Sequence, residues 1–204
     1  MAARKSAKER KTQIADTVLR LADELGPDRL TTQAVADAVG VTQPAIFRHF
    51  PTKADLWLAV AGLIAVRLRA GWSQALQSAD DPVQRIEALI LGQLRQIEAM
   101  PAIPSILFSR ELQAENEPLR QTIQDLMGTL VAMLIDEIKT AQANQRIHGG
   151  LAPQDGALLL VALVQGLAFR WTLTRRGFGL EAEGRRMLAI QMRLFLTQSE
   201  GGVS

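Results

Sequence analysis

Cysteine is absent from this 204-residue sequence, and histidine occurs only twice, as His49 and His148. Without thiols, disulfide frameworks, thiolate nucleophiles and cysteine-ligated metal centres are excluded. Two histidines leave metal chemistry little to work with. Long hydrophobic runs are also missing: the longest, Leu158 to Val164, falls far short of the roughly 20 residues of a membrane span. The basic N-terminus is not followed by the apolar stretch of an export signal. A cytoplasmic protein is therefore expected, neither exported nor embedded. No alternating run bounded by turn residues reads as a strand. The G-x-S-x-G, P-loop and G-x-G-x-x-G patterns are lacking too. The carboxylate pairs Glu115/Glu117 and Asp136/Glu137 fall on helix surfaces, where charge is usually solvated. No enzyme, cofactor or metal site is expected.

What is present is apolar and helical. Hydrophobic residues make up 48% of the chain, ample material for a core. The net charge of +2 becomes informative when divided. Residues 1–60 carry nine Lys and Arg against seven acids, whereas the remainder is balanced at fourteen of each. Arg4, Lys5, Lys8, Arg10 and Lys11 face only Glu9 in the first eleven residues, a tail suited to phosphates or a minor groove.

The stretch from Thr31 to Lys53 concentrates the capping and turn signals. Thr32 reads as the N-cap of a short helix over about Gln33 to Val39, which Gly40 closes through the left-handed conformation. After Val41, Thr42 reads as the cap of a second helix, Gln43 to Phe50, with Pro44 tolerated in its first turn. Two short helices joined by so tight a turn form a helix-turn-helix, whose second member enters the DNA major groove. Ile46, Phe50, Val35, Val39 and Val41 are its expected small core. Thr42, Gln43, Pro44, Ala45, Phe47, Arg48 and His49 point outward. Gln43 can pair with an adenine edge, and Pro44 and Ala45 can touch a thymine methyl. Pro51 stops the second helix. Thr52 then restarts another, whose free N–H groups together with Lys53 suit a phosphate.

The pattern LTTxxVAxxxGVxxxxxxRHFxxKxxL, from Leu30 to Leu56, resembles that of the TetR family of transcriptional regulators. The resemblance implies a three-helix DNA-binding domain, a helical ligand-binding and dimerisation domain, and repression relieved by a small molecule. It places Thr42, Gln43 and Pro44 at base edges or adjacent backbone of double-stranded DNA, and Phe47, His49 and Lys53 at phosphates and sugars; Thr32, Ala45 and Arg48 complete the expected DNA-binding set. The family commonly has tyrosine at the position of Phe47, so a phenolic contact to phosphate is lost here and an apolar one kept.

An all-α chain of about nine helices is expected, divided at residues 1–52 and 53–204. One amphipathic helix runs from about Ala7 to Leu25, and a long one from Lys53 to about Ala79. Further helices cover about Val83 to Ala99, Ile103 to Leu112 and Leu119 to Asn144. The helix over about Gln154 to Thr174 is apolar on nearly all faces, more than one chain can cover, and that over Glu181 to Gln198 is apolar more broadly than a surface helix requires. Leu160, Val164, Met187, Gln191 and Leu194 are expected at a homodimer interface built from these two helices. In the helices that the resemblance places around an effector, Trp72, Met100, Phe108, Met127, Phe169 and Trp171 are the candidate contacts. No charge cluster accompanies them, so the small molecule should be mainly apolar. The leading expectation is a repressor released from a palindromic operator. The alternatives are an effector-free architectural DNA-binding protein and a helical ligand-binding protein or enzyme with a vestigial helix-turn-helix. Arg175, Arg176, Arg185 and Arg186 can be read as an anion site, although a charged loop near two helix ends is the simpler reading.

Overall fold

A computed structural model describes residues 6–114 and 116–197. Arg4, Lys5, Glu115 and the segment Gly201 to Ser204 lie outside the described residues. Ten α-helices follow one another: α1 (Ala7–Leu25), α2 (Thr32–Val39), α3 (Gln43–His49), α4 (Lys53–Leu76), α5 (Pro82–Ala99), α6 (Ala102–Leu107), α7 (Arg110–Ala114), α8 (Glu117–Ala143), α9 (Pro153–Leu173) and α10 (Leu180–Phe195). Among the described residues there is no strand, only an isolated bridge between Ile147 and Leu196.

The count exceeds the expected nine because the stretch Ile103 to Leu112 is broken. Phe108 leaves the helical region (φ −99°, ψ 0°), ending α6. The Ser109 hydroxyl then accepts from the Leu112 N–H at 3.2 Å and starts α7. The long helix α4 also stops three residues early, where the Ser78 hydroxyl donates to the Ala75 carbonyl. Asp81 then caps α5 through the Val83 N–H.

Two compact units are distinguished by their internal contacts. The first comprises the described part of Met1–Arg67 together with Met100–Leu126. Its α1 begins with a reciprocal cap, in which the Ser6 hydroxyl accepts from the Glu9 N–H and the Glu9 carboxylate from the Ser6 N–H. Ile14, Val18 and Ala22 bury one face of α1, which packs on α2, α3 and α6. Leu30, Val35, Ile46, Leu56 and Trp57 continue that core. Asn116 locks α8 to the start of α4, donating to the Ala54 carbonyl and accepting from the Leu119 N–H.

The second unit, Leu68–Ala99 with Met127–Ser204, is built on α5, α9 and α10, each of which packs on the other two. Ile86, Leu89, Ile90, Leu94, Leu134, Leu160, Leu188 and Phe195 form its core. Gly184 permits the closest approach: a Cβ there would lie 2.1 Å from the buried Leu94 Cδ1. Gly184→Ala should therefore cost about 1–3 kcal/mol of stability by overpacking. Urea unfolding of the variant checks this, and an unchanged midpoint would show that α5 and α10 have room to part.

α9 is, by length and composition, the one described helix that could cross a membrane, a feature that the short apolar run in the sequence had concealed. Its most apolar window has a mean hydropathy of 1.6 and is 44% buried inside the fold. Leu160, Val161, Val164, Leu167 and Trp171 are the covered side, which makes it a core helix with one face left over.

Candidate nucleic-acid interface

The turn forms as its residues dictate. Gly40 is left-handed (φ +74°, ψ 40°), and its N–H bonds to the Ala36 carbonyl, closing α2. The start of α2 differs from expectation. Its N-cap is Thr31, whose hydroxyl accepts from the Ala34 N–H at 3.1 Å, so Thr32 is the first helical residue and its hydroxyl caps nothing. Two adjacent threonines offered the cap. Burying Leu30 and Val35 selects the earlier one. Thr32 instead meets α3, where its Oγ1 accepts from the Gln43 Nε2–H at 2.7 Å.

Thr42 precedes α3 as N-cap by backbone alone, since its hydroxyl makes no cap bond. Ile46 and Phe50 are buried beneath the motif, while Val39 and Val41 are only partly covered. On the other side, Thr42, Pro44 and Arg48 are exposed, Phe47 is 40% exposed, and Gln43, Ala45 and His49 are half-buried. Lys11 of α1 stands over the Phe50 ring, 5.6 Å from its centroid, which fixes an ammonium group beside the end of α3. The sequence placed Lys11 in a basic tail, but the ring contact that holds it is tertiary.

Lys53 is exposed in the first turn of α4. The N–H groups beside it are less available than expected. The Thr52 hydroxyl accepts from the Asp55 N–H, and the Asp55 carboxylate accepts from both the N–H and the hydroxyl of Thr52. This reciprocal cap uses two donors, so the exposed Lys53 side chain, rather than the helix start, is the group left to meet an anion.

The six expected effector contacts differ in their surroundings. Trp72 is 1% exposed and donates to Gln93 at 2.7 Å, while the Trp171 indole N–H is taken by the Phe178 carbonyl. Met100 and Met127 are half-buried, and the Met100 sulfur receives an Arg67 N–H. Phe108 and Phe169 are exposed. A cleft of about 440 Å³ between α4 and α5 is lined by Gly71, Gln74, Leu91, Arg95 and Gln96 among others, and none of the six lines it. Gln93 was invisible as a feature of the sequence, since no periodicity pairs a glutamine with a distant indole.

The expected dimer residues separate. Leu160 and Val164 are buried in their own chain, so they are corrected to core. Met187 and Gln191 are half-buried, and Leu194 is 68% exposed. The large apolar side chains left exposed on these helices are Leu158, Leu159, Phe169 and Leu173 on α9 and Ile190 and Leu194 on α10. The nearby arginines are already engaged: Glu183 accepts from Arg170 and Arg186, and Glu181 from Arg95 and Arg185. Arg176 lies over the Trp171 ring. Hydrogen bonds from Arg186 and then Arg170 bring the Glu183 carboxyl from 4.5 down to about 2. A depressed carboxyl contributes stability above its unfolded value and loses it as the pH falls through its folded one. Stability should therefore drain between about pH 4.5 and pH 2. Glu183→Gln should flatten that part of a pH-dependent unfolding curve; an unchanged slope would remove Glu183 from acid unfolding.

A glycine-closed helix pair, braced by a third helix and carrying an uncovered polar second helix flanked by cations, defines a helix-turn-helix DNA-binding protein. The domain described as "Bacterial regulatory proteins, tetR family" matches residues 14–60. The nucleoid occlusion factor SlmA of Vibrio campbellii is 30% identical over 134 residues, 66% of this chain and 68% of that protein. A putative TetR-family transcriptional regulator from Rhodococcus sp. is 25% identical, with a TM-score of 0.78 over 93% of this chain and 100% of that one. A putative transcriptional regulator from Saccharomonospora viridis, solved in complex with choline, superposes with a TM-score of 0.84 at 19% identity, covering 94% of this chain and 100% of that one. The chain belongs to the TetR family and is a DNA-binding transcriptional regulator.

Proposed function

We propose that the protein is a homodimeric repressor of the cytoplasm, without enzymatic activity, that leaves a palindromic operator when a small, mainly apolar ligand binds. The observation that carries this is the outward side of α3, where Thr42, Pro44 and Phe47 are exposed and Gln43 is half-buried, with Lys11 over the Phe50 ring that ends the helix and Lys53 exposed at the start of the next. Thr42, Gln43, Pro44 and Ala45 are assigned to base edges, and Thr32, Phe47, Arg48, His49 and Lys53 to sugar and phosphate. Residues 1–52 would be the DNA-binding domain and residues 53–204 the effector and dimerisation domain. Ligand release is supported by the choline-bound Saccharomonospora viridis protein of similar fold and by α4, one unbroken helix with Lys53 in its first turn and Trp72 four residues before its last residue, Leu76. Selection of bound sequences from random DNA by the purified chain tests the reading. An inverted repeat is expected, and failure to select any sequence would overturn it.

A second reading is favoured by the name of the Vibrio campbellii relative: a factor of nucleoid occlusion that binds DNA without an effector. The two separate on reciprocity, since a ligand that weakens DNA binding must itself be weakened equally by DNA. Ligand affinities measured with and without operator DNA should differ under the first reading and not under the second.

A further inference from the structure

We infer that Thr32 is a specificity-determining residue, which fixes the orientation of the Gln43 amide and thereby makes Gln43 select adenine over guanine. The inference rests on the assignment of Gln43 to a base edge. Its starting point is the 2.7 Å hydrogen bond from Gln43 Nε2 to Thr32 Oγ1, which joins the first residue of α2 to the first residue of α3 across the turn. Thr32 is not occupied in building its helix, because Thr31 carries out that task. Nor does neighbouring Gln33 compete for it, since the Gln33 amide donates along α2 to Asp37 at 2.7 Å. Both Thr32 and Gln43 are half-buried, so the bond is partly shielded from water and neither residue is closed off from solvent.

The consequence follows from counting donors and acceptors. A glutamine amide has two N–H donors and one acceptor oxygen, and a hydroxyl has one proton and two lone pairs. With one Gln43 N–H held by Thr32, the amide is left with one N–H and Oε1. An adenine edge requires that pair, because it offers an acceptor at N7 and a donor at N6; guanine offers two acceptors, N7 and O6. The Thr32 proton is free to turn outward. Phosphate oxygens accept and never donate, so a Thr32 hydroxyl bound to phosphate has only lone pairs left for Gln43. Contact with the backbone then excludes the flipped amide, in which Oε1 would face Thr32. A phosphate contact, ordinarily silent about sequence, here helps to read a base.

The test is sequence selection from random DNA by the full-length wild type, Thr32→Val, Thr32→Ser, Gln43→Ala and the Thr32→Val/Gln43→Ala double variant, each checked for unchanged helicity by circular dichroism. Valine keeps the shape of threonine and removes the hydroxyl; serine keeps the hydroxyl. The base pair that Gln43→Ala flattens should also be flattened by Thr32→Val, with its adenine-over-guanine preference falling about tenfold, within the range of a good bidentate contact. Thr32→Ser should retain the preference, and the double variant should be no flatter than Gln43→Ala. The slope of log affinity against log salt should stay unchanged in Thr32→Val, since no charge is lost. A loss equal on all sequences with preferences intact would make Thr32 a mere backbone contact and overturn the inference. Serine behaving like valine would overturn it too. If the wild type selects a site but Gln43→Ala flattens no position, the inference fails while the regulator stands. If the wild type selects nothing, the regulator reading itself fails.

Discussion

A glutamate in place of Leu194 or Phe169 should produce a soluble monomer whose affinity for a full operator is lower by about 10²–10⁴-fold, the avidity that a linked second half-site normally supplies. Both side chains stand more than half exposed, at 68% and 55%. Leu158, Leu159, Leu173 and Ile190 on the same two helices are exposed as well, and large exposed apolar patches mark interfaces. A carboxylate forced between two such faces would have to shed water without a partner, which association cannot offset. Because neither side chain contributes to the core of its own chain, the monomer should remain folded. Leu160 and Val164 would give an ambiguous result, since a charge at either would unfold the chain from within. Sedimentation and operator titration decide the matter. Variants that stay dimeric would place the interface elsewhere, and monomeric variants that bind the full operator as the wild type does would show that DNA binding does not need the dimer.

The second large effect belongs to Trp72. Trp72→Ala should lose about 3–5 kcal/mol of stability through the cavity. The Gln93 amide, itself only 5% exposed, would be left without the indole N–H that it accepts, adding about 1–3 kcal/mol for an unsatisfied buried acceptor. Such a loss is a large share of the total stability of a domain. A truncation at Trp72, a candidate effector contact, therefore cannot serve as a clean probe of effector coupling. Replacing both partners in Trp72→Phe/Gln93→Leu should cost far less, because no polar atom is then stranded. Denaturant unfolding of the three proteins compares them directly. Trp72→Ala within 1 kcal/mol of the wild type, roughly the worth of a single ordinary hydrogen bond, would show that the pair contributes little.

What could be read in the sequence, and what could not, divides by the range of the cause. The Gly40 turn, the α1 face of Ile14, Val18 and Ala22, and the core positions Ile46 and Phe50 depend on spacing of three or four residues, which is printed in the chain. The Thr31 cap was missed because two neighbouring threonines satisfy the same local rule and the packing of Leu30 chooses between them. α6 and α7 were read as one helix because pieces of six and five residues are too short to show a period. α9 was recognised as overburdened with apolar residues, but a helix apolar all round carries no phase. Which of Leu158 and Leu160 faces inward could only come from its packing against α5 and α10. The Trp72–Gln93 and Gln43–Thr32 bonds span 21 and 11 residues and have no sequence signature.

The reciprocal cap of Thr52 and Asp55 has a bearing on how quickly a regulator finds its site. A carboxylate held by both the N–H and the hydroxyl of Thr52 is a fixed negative charge in the helical turn that begins with Lys53. Such a charge opposes the approach of any phosphate to that turn, whatever the sequence. Attraction to phosphate alone governs how long a protein lingers on irrelevant sequence. The fixed Asp55 charge thus limits the grip that this turn can offer to arbitrary DNA, which favours a short search.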